Sequence, residues 1–117
     1  MTKTDPVSLA NWESQIRKGM LDFLILLFLK QKEYYGYDLI KTIKQTARLD
    51  ISEGTIYPLL NRLKSQKLIT SRWEEKEVGL PRKYYQITAS GLDVLEAMKS
   101  SWNEFRRVLD ELMKESS

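Results

Sequence analysis

Apolar side chains return every three or four residues near the start of this 117-residue chain, from Trp12 to Leu27. This spacing predicts a first helix over about residues 8–31. Within it, the run from Met20 to Leu29 is apolar at nine of ten positions, with Asp22 as the exception. A membrane-spanning helix needs about 20 such residues, so we interpret the run as a core helix and expect no membrane segment.

A second, shorter helix is predicted after the run Tyr34-Tyr35-Gly36-Tyr37, which interrupts the first one. Helical spacing is expected to turn Tyr37, Ile40 and Ile43 inward and to leave Lys41 and Lys44 outward. Residues 49–51 then connect this helix to a third.

The third predicted helix, from about residue 52 to residue 66, has one apolar face and one face of small and polar residues. The apolar face consists of Ile56, Leu59, Leu60 and Leu63. The opposite face consists of Gly54, Pro58, Asn61 and Ser65, flanked by Thr55, Tyr57 and Arg62. A merely solvated face would usually carry lysine and glutamate. The low bulk of this one favours close approach to a surface such as a DNA groove.

Two residues set the expected start and shape of the third helix. Ser52 is placed as its N-cap, with the hydroxyl accepting a bond from a free backbone N–H. Pro58 lies beyond the first turn, where it removes a backbone hydrogen bond at a cost of about 3 kcal/mol. The proline predicts either a bend or a helix that begins later than Ser52.

Two strands rich in β-forming residues are predicted over residues 68–73 and 83–87. The long charged segment between them contains Gly79 and Pro81 and is expected to form the tip of a wing. From Glu53 to Lys83 there are seven basic and four acidic residues, an excess that equals the whole net charge of +3. A helix followed by a basic ribbon predicts a mainly α fold with a small β-hairpin, a winged helix-turn-helix over residues 1–88.

The last helix is predicted from Ala89 to about Lys114, with Thr88 as its cap. Its apolar residues follow one another at intervals of 3, 4, 3, 4 and 3, the pattern of a coiled-coil seam. They are Leu95, Met98, Trp102, Phe105, Leu109 and Leu112. We predict that residues 89–117 pair two chains into a homodimer, with Ile16 and Met20 joining the interface. Folding back within one chain is the alternative.

The chain contains neither cysteine nor histidine. Disulfides, the usual zinc sites and histidine-paired nucleophiles are therefore excluded. Asp22, Asp38 and Asp50 form no recognisable catalytic constellation, so we expect no enzyme, no cofactor and no metal site. The N-terminus lacks the layout of a signal peptide, which predicts a cytoplasmic protein.

Three motifs occur in a characteristic order. They are Tyr35-Gly36-Tyr37-Asp38-Leu39, then Gly54-Thr55-Ile56-Tyr57-Pro58-Leu59-Leu60-Asn61-Arg62-Leu63, then Gly79-Leu80-Pro81-Arg82-Lys83-Tyr84-Tyr85-Gln86-Ile87-Thr88 with Gly91. Together they resemble the PadR family of bacterial transcriptional regulators, in the branch with a short C-terminal tail. The resemblance implies a homodimeric winged helix-turn-helix protein that usually represses transcription. In some members of that family, small phenolic or hydrophobic molecules release the protein from DNA.

In this interpretation the third helix enters the major groove of a pseudo-palindromic operator, with half-sites about one or two helical turns apart. Thr55, Tyr57 and Asn61 are candidates for base contacts. The full set of candidate DNA-binding residues is Tyr37, Lys41, Lys44, Ser52, Thr55, Tyr57, Pro58, Asn61, Arg62, Lys64, Arg82 and Lys83. The alternatives are that Tyr57 packs between helices and that the lysines of the two helices form an ordinary solvated face.

Trp102 occupies a seam position where a bulky indole disturbs tight packing and its N–H requires a partner. We expect Met98, Trp102 and Phe105 to line a gap near Phe23, with Asp22 at its rim. Such a gap would accept a small aromatic or hydrophobic effector. The alternative is that Trp102 simply fills the dimer core.

One other function remains open, a winged-helix protein-interaction module without DNA specificity. In that case the face formed by Gly54, Pro58 and Asn61 would be buried against a partner chain, and the charges of the wing would have no DNA to bind.

Overall fold

The computed structural model describes residues 6–48, 50–75, 79 and 82–116, which form five helices and three strands. The helices are α1 (Pro6–Gly19), α2 (Leu21–Gln31), α3 (Gly36–Ala47), α4 (Glu53–Ser65) and α5 (Ala89–Ser116). The strands are β1 (Tyr34–Tyr35), β2 (Ile69–Glu74) and β3 (Arg82–Ile87). The predicted mainly helical fold with a small hairpin is confirmed. Most of the predicted wing tip lies outside the described residues.

The single helix predicted over residues 8–31 is in fact two helices, α1 and α2, and the prediction was wrong at Met20. The N–H of Met20 donates to the carbonyls of both Ile16 and Arg17 at 3.1 Å, and its own carbonyl accepts from Leu24 at 2.9 Å. The backbone hydrogen bonds of Met20 are therefore retained across the junction of the two helices. The preceding Gly19 is a poor helix former, which favours a break here.

The core is one cluster of buried hydrophobic residues to which α2, α3, α4, the sheet and α5 contribute. The apolar face predicted for α4 is confirmed, since Ile56, Leu60 and Leu63 are at most 1% exposed. In α3 the prediction was wrong for Tyr37, which is 54% exposed. The buried stripe of α3 consists of Gly36, Leu39, Ile40 and Ile43. At 3.6 residues per turn, Tyr37 lies beyond the Ile40 edge of this stripe and therefore outside the core.

The start of α4 agrees with the prediction in position but not in bonding. Ser52 is the N-cap, yet its hydroxyl lies 3.2 Å from the hydroxyl of Thr55 rather than on a backbone N–H. Pro58 lies inside the helix, so α4 does not begin late. The N–H that Pro58 lacks would have bonded the carbonyl of Gly54, and Gly54 is exposed, which leaves that carbonyl open to water.

The three strands form one antiparallel sheet in the order β1-β3-β2. Ile69 pairs with Ile87 at one end of the hairpin, and Trp73 pairs with Lys83 near the other. The predicted strands were correct to within one residue. The short β1 was not predicted, because its two tyrosines lie in the aromatic run that we interpreted only as a helix break.

The hairpin is joined to α5 by a close backbone contact. The hydroxyl of Thr88 accepts a bond from the N–H of Gly91 at 2.9 Å, which confirms the predicted cap, and it donates to the carbonyls of Lys67 and Leu68. At Gly91 a β-carbon would lie 2.1 Å from the carbonyl oxygen of Leu68 and 2.7 Å from Cγ1 of Ile87. Only glycine fits at this position without displacing the backbone.

The long helix α5 is docked on the core along its first half only. Leu95 is fully buried, and Met98 and Trp102 pack partly buried against the core. Farther along the same seam, Phe105 is 56% exposed and Leu112 is 54% exposed. The second half of α5 therefore presents an apolar stripe to solvent in the single chain.

No helix of the described residues is long and apolar enough to cross a membrane. Within those same residues, acidic side chains form no group of three or more that could hold a metal ion.

We expect Gly91→Ala to destabilise the fold by roughly 1–3 kcal/mol, because the added methyl group must displace the Leu68 carbonyl or shift α5. Thermal unfolding followed by circular dichroism measures this effect. Gly54→Ala is the matched control, since a β-carbon there meets only Ser52 Oγ, at 3.6 Å. The control should be neutral or slightly stabilising. An unchanged melting temperature for Gly91→Ala would contradict the close contact.

Candidate DNA-binding surface

The helix α4 turns a face of small and polar side chains to solvent. Four residues at helical spacing are exposed on that face, and Thr55, Tyr57 and Arg62 beside them are exposed as well. The four are Gly54, Pro58, Asn61 and Ser65. The face lies outward because the opposite side of α4 is buried in the core. The arrangement predicted from the sequence for this helix is therefore present.

A cleft of about 310 Å³ separates α4 from the wing. Its lining consists of Tyr35, Gly36, Tyr57, Trp73, Lys83 and Tyr85. Gly36 allows the close approach of the aromatic rings, since a β-carbon there would lie 3.2 Å from the Tyr85 ring and 3.5 Å from the Tyr57 hydroxyl. Tyr57 of α4 and Lys83 of the wing, both candidate DNA-binding residues, therefore line the same cleft.

The position of Tyr57 leaves both interpretations of it open. Its side chain lies against the cleft, yet the residue is 37% exposed. Partial burial, followed by the nearby groups of Glu53 and Tyr35, raises the pKa of Tyr57. The phenol is therefore neutral at ordinary pH, and its hydroxyl can both donate and accept a hydrogen bond.

Arg82 and Lys83 lie on opposite faces of the wing, as alternate residues of a strand must. The guanidinium of Arg82 lies 4.8 Å from the centre of the Tyr35 ring. The ammonium of Lys83 lies 5.6 Å from the Trp73 ring and 5.7 Å from the Tyr85 ring. The two residues, predicted as a pair, therefore present their charges at different sites.

Lys83 is also close to Lys64 at the end of α4. Burial is the larger cause that lowers the pKa of Lys83, and the positive charge of Lys64 is the next. The two cations come from separate elements, Lys64 from α4 and Lys83 from β3.

Arg62 forms an ion pair with Asp22. Its guanidinium lies 2.7 Å from a carboxylate oxygen of Asp22, which joins α4 to the first turn of α2. The two side chains are 53% and 39% exposed, so the pair contributes only about 0–1 kcal/mol. A phosphate could replace Asp22 at little cost. Asp22, predicted at the rim of the gap near Phe23, is not among the residues that line this gap in the single chain, and its carboxylate pairs with Arg62 on α4.

The candidates on α3 gather at the start of α4. A shallow depression of about 230 Å³ is lined by residues of α3 together with Glu53. The α3 residues are Tyr37, Ile40, Lys41, Lys44 and Gln45. Lys41 is exposed and Lys44 is half-buried, and both line this depression together with Glu53 of the first turn of α4.

Two wing residues were not among the sequence candidates. Trp73 is 67% exposed, although tryptophan seldom faces solvent so fully. Its place beside Lys83 follows from the register of the hairpin, which the sequence does not determine across a long loop. Arg72, by contrast, is paired with Glu33 and Glu74, and these bonds raise its pKa. Its charge is already neutralised within the fold.

A second site lies where the junction of α1 and α2 faces α5. A groove of about 290 Å³ is lined by Gly19, Met20, Phe23, Met98, Ser101, Trp102 and Phe105. The rings of Trp102 and Phe105 are 6.2 Å apart. The gap expected near Phe23 is present. Gly19 and Met20, at the break between α1 and α2, form one of its walls.

The chain is similar to one family of known proteins in both sequence and structure. The sequence model of the transcriptional regulator PadR-like family matches residues 25–97. A solved PadR-like transcription factor from Bacteroides fragilis is 42% identical, with 87% of this chain and 98% of that chain covered and a TM-score of 0.73. A solved PadR-like transcriptional regulator from Bacillus cereus is 40% identical, with 86% and 97% covered and a TM-score of 0.77.

The transcriptional regulator YqjI of Escherichia coli is 39% identical over 80 residues, which are 67% of this chain and 37% of that protein. The family match covers more than half of the chain, and both similar structures share its winged-helix fold. The chain therefore belongs to the PadR-like family of transcriptional regulators.

Proposed function

We propose that this PadR-like regulator is a sequence-specific DNA-binding repressor that acts as a homodimer and is released by a small hydrophobic or aromatic effector. The observation that carries the DNA-binding part is the outward face of α4. It offers Thr55, Tyr57 and Asn61 on a surface of low bulk, and the cleft beside it carries Lys83. Side chains of these types can read base edges in a major groove.

The cations around α4 suit contacts with the DNA backbone. Lys41 and Lys44 flank its first turn, and Lys64 and Lys83 lie near its last. Arg62 would exchange Asp22 for a phosphate when DNA binds. Contacts of this kind position the helix but carry no sequence information, so the base-reading role falls to the residues between them.

We expect Asn61→Ala to reduce discrimination between an operator selected from random DNA and a scrambled duplex. A lost base contact removes roughly 1–3 kcal/mol of discrimination, or about 5- to 150-fold. Fluorescence anisotropy on both duplexes measures the ratio. The matched control is Lys41→Gln, which should weaken binding to both duplexes equally and lower the salt slope by about 0.9.

An unchanged ratio for Asn61→Ala would remove Asn61 from the reading surface. Absence of any salt-sensitive binding to duplex DNA would favour the alternative of a winged helix that binds only protein.

The homodimer is proposed from two exposed apolar stripes. On α1, Trp12 is 59% exposed and Ile16 is 45% exposed. On the second half of α5, Phe105, Leu109 and Leu112 continue the seam at exposures of 36–56%. A surface stripe of this size at coiled-coil spacing is typical of a helix that pairs with another chain. Two chains joined in this way would present two copies of α4 to a pseudo-palindrome.

We expect the wild-type protein to sediment as a dimer and Leu109→Glu to sediment as a monomer that keeps its helical content. Leu109 is already 36% exposed in the single chain, so a glutamate there damages the pairing seam rather than the core. Asn103→Glu adds the same charge beside the seam and should remain dimeric. A wild-type monomer at micromolar concentration in analytical ultracentrifugation would contradict the proposal.

The effector is proposed to occupy the groove between the α1–α2 junction and α5. Its lining is mainly apolar, with two aromatic rings from α5 and one from Phe23. A dimer formed through the exposed seam would place a second α5 near this groove and would enclose a ligand further. Binding there would act on DNA affinity by changing the separation of the two α4 helices.

We expect phenolic acids or flat hydrophobic drugs to quench Trp102 in a variant whose Trp12 and Trp73 are replaced by phenylalanine. The same compounds should weaken operator binding by about 5- to 150-fold, the usual range of coupling between two sites. Phe23→Ala should reduce both effects, because it removes the groove wall on α2. Trp102 emission that ignores every compound tested would favour a tryptophan that only fills the dimer core.

A further inference from the structure

The cleft between α4 and the wing is lined mostly by aromatic rings. Four of its six lining residues are Tyr35, Tyr57, Trp73 and Tyr85, and Gly36 adds a stretch of wall without a side chain. Trp73 is 67% exposed, so most of this residue still faces water. At about 310 Å³ the cleft lies at the lower end of the range of small-molecule sites. A flat guest with one or two fused rings therefore suits both its size and its walls.

One charged group lies among these rings. The ammonium of Lys83 is 5.6 Å from the centre of the Trp73 ring and 5.7 Å from that of Tyr85. None of the described residues that line the cleft is acidic, and Lys83 takes part in none of the ion pairs found in the described chain. Burial, and after it the charge of Lys64, lower the pKa of Lys83. An anionic guest would supply the opposite charge that this ammonium lacks.

The phenol of Tyr57 can add a hydrogen bond to such a guest. A β-carbon at Gly36 would lie 3.5 Å from the Tyr57 hydroxyl, so this oxygen borders the wall of the cleft. Burial is the main cause that raises the pKa of Tyr57, so the phenol keeps its proton at neutral pH and can donate it. A carboxylate accepts strong hydrogen bonds from ammonium and phenol groups, whereas an uncharged aromatic compound gains mainly the contact with the rings.

We propose that this cleft is a ligand site for flat aromatic carboxylates and that a bound ligand excludes DNA directly. The ring of the acid lies against Trp73, and its carboxylate binds the ammonium of Lys83. DNA is excluded because the ligand then occupies Lys83 and Tyr57, two candidate DNA contacts. This second part rests on the proposed binding to DNA, whereas the occupation of the cleft does not.

The cleft differs from the groove beside α5 in the charge that it can accept. In the single chain, the described residues that line the groove carry no charged side chain. A carboxylate placed there would lose its hydration without gaining a cationic partner, so uncharged compounds suit the groove better. The two sites also act differently on DNA binding. A groove ligand weakens it only up to a fixed coupling factor, whereas a ligand that competes for the same residues has no such limit.

The first test is a calorimetric titration of the free protein with naphthalene-2-carboxylate and with the uncharged naphthalene-2-methanol. The acid should bind the wild type about tenfold more tightly or better, because only the acid gains the contact with the ammonium. Lys83→Gln should remove this preference and leave the binding of the alcohol, and Lys83→Arg should retain it. Lys32→Gln is the matched control, since it removes an ammonium that lies 4.8 Å from the Tyr34 ring and outside the cleft.

Tryptophan emission locates the bound acid. In a variant whose Trp12 and Trp102 are replaced by phenylalanine, Trp73 is the only tryptophan left. The acid should quench its emission with the midpoint found by calorimetry, and Lys83→Gln should shift that midpoint by the same factor. An acid that also enters the groove is reported separately, by Trp102.

The second test measures the affinity for duplex DNA by fluorescence anisotropy at rising concentrations of the same acid. Competition predicts an apparent Kd that keeps rising with the concentration of the acid and reaches no plateau. The effect should be as large in Phe23→Ala as in the wild type, because Phe23 lines the groove and not the cleft.

The cleft site would be overturned if the acid and the alcohol bound equally well, or if Lys83→Gln left the affinity for the acid unchanged. Direct exclusion of DNA would be overturned by a plateau in the apparent Kd, or by an effect of the acid that disappears in Phe23→Ala. The calorimetric titration contains no DNA, so it decides the ligand site independently of the proposed function. A wild type that binds no duplex would overturn the proposed function and the exclusion of DNA together.

Discussion

The burial of one face of α4 is the constraint on which the rest of the structure depends. Ile56, Leu60 and Leu63 are at most 1% exposed, and they fix the rotation of the helix about its own axis. Because that rotation is fixed, Thr55, Tyr57 and Asn61 must face outward. Burying three large aliphatic side chains contributes on the order of 1.5–3 kcal/mol each. The outward face is thus held by the core and needs no stabilising contacts of its own.

The wing is held against α4 by a second set of contacts, which are more local. Thr88 ties the hairpin to the first turn of α5, and Gly91 lets the Leu68 carbonyl approach that turn. The aromatic residues of β1 and β3 then meet Tyr57 across the cleft. The separation of wing and helix is therefore determined by backbone contacts at one end and by aromatic rings at the other.

The sequence predicted the parts of this arrangement that depend on local periodicity. The faces of α4, the two strands of the hairpin, the Thr88 cap and the seam of α5 all follow from spacing along the chain. The errors arose where contacts distant in sequence decide. The break at Met20, the exposure of Tyr37 and the two-residue β1 depend on how elements meet in space.

The residues of the candidate site also fall into two groups, those placed by local spacing and those placed by contacts distant in sequence. Asn61 and Tyr57 could be placed on a helix face from the sequence, whereas the pairing of Arg62 with Asp22 links positions 40 residues apart. Trp73 joins the surface only through its register opposite Lys83.

The Arg62–Asp22 pair links the two proposed sites. Asp22 is adjacent in sequence to Phe23 of the groove, so α2 contributes to both. A ligand that moves α2 would therefore also move the partner of Arg62.

The most direct test of the account is the selection of duplexes from a random-sequence pool by the purified protein at near-physiological salt, with sequencing of the bound fraction. We predict enrichment of a pseudo-palindrome with half-sites about one or two helical turns apart. The enriched duplex should bind at least roughly a thousandfold more tightly than a scrambled one. A bound fraction with no enriched sequence, despite measurable affinity for DNA, would contradict the claim that α4 reads bases.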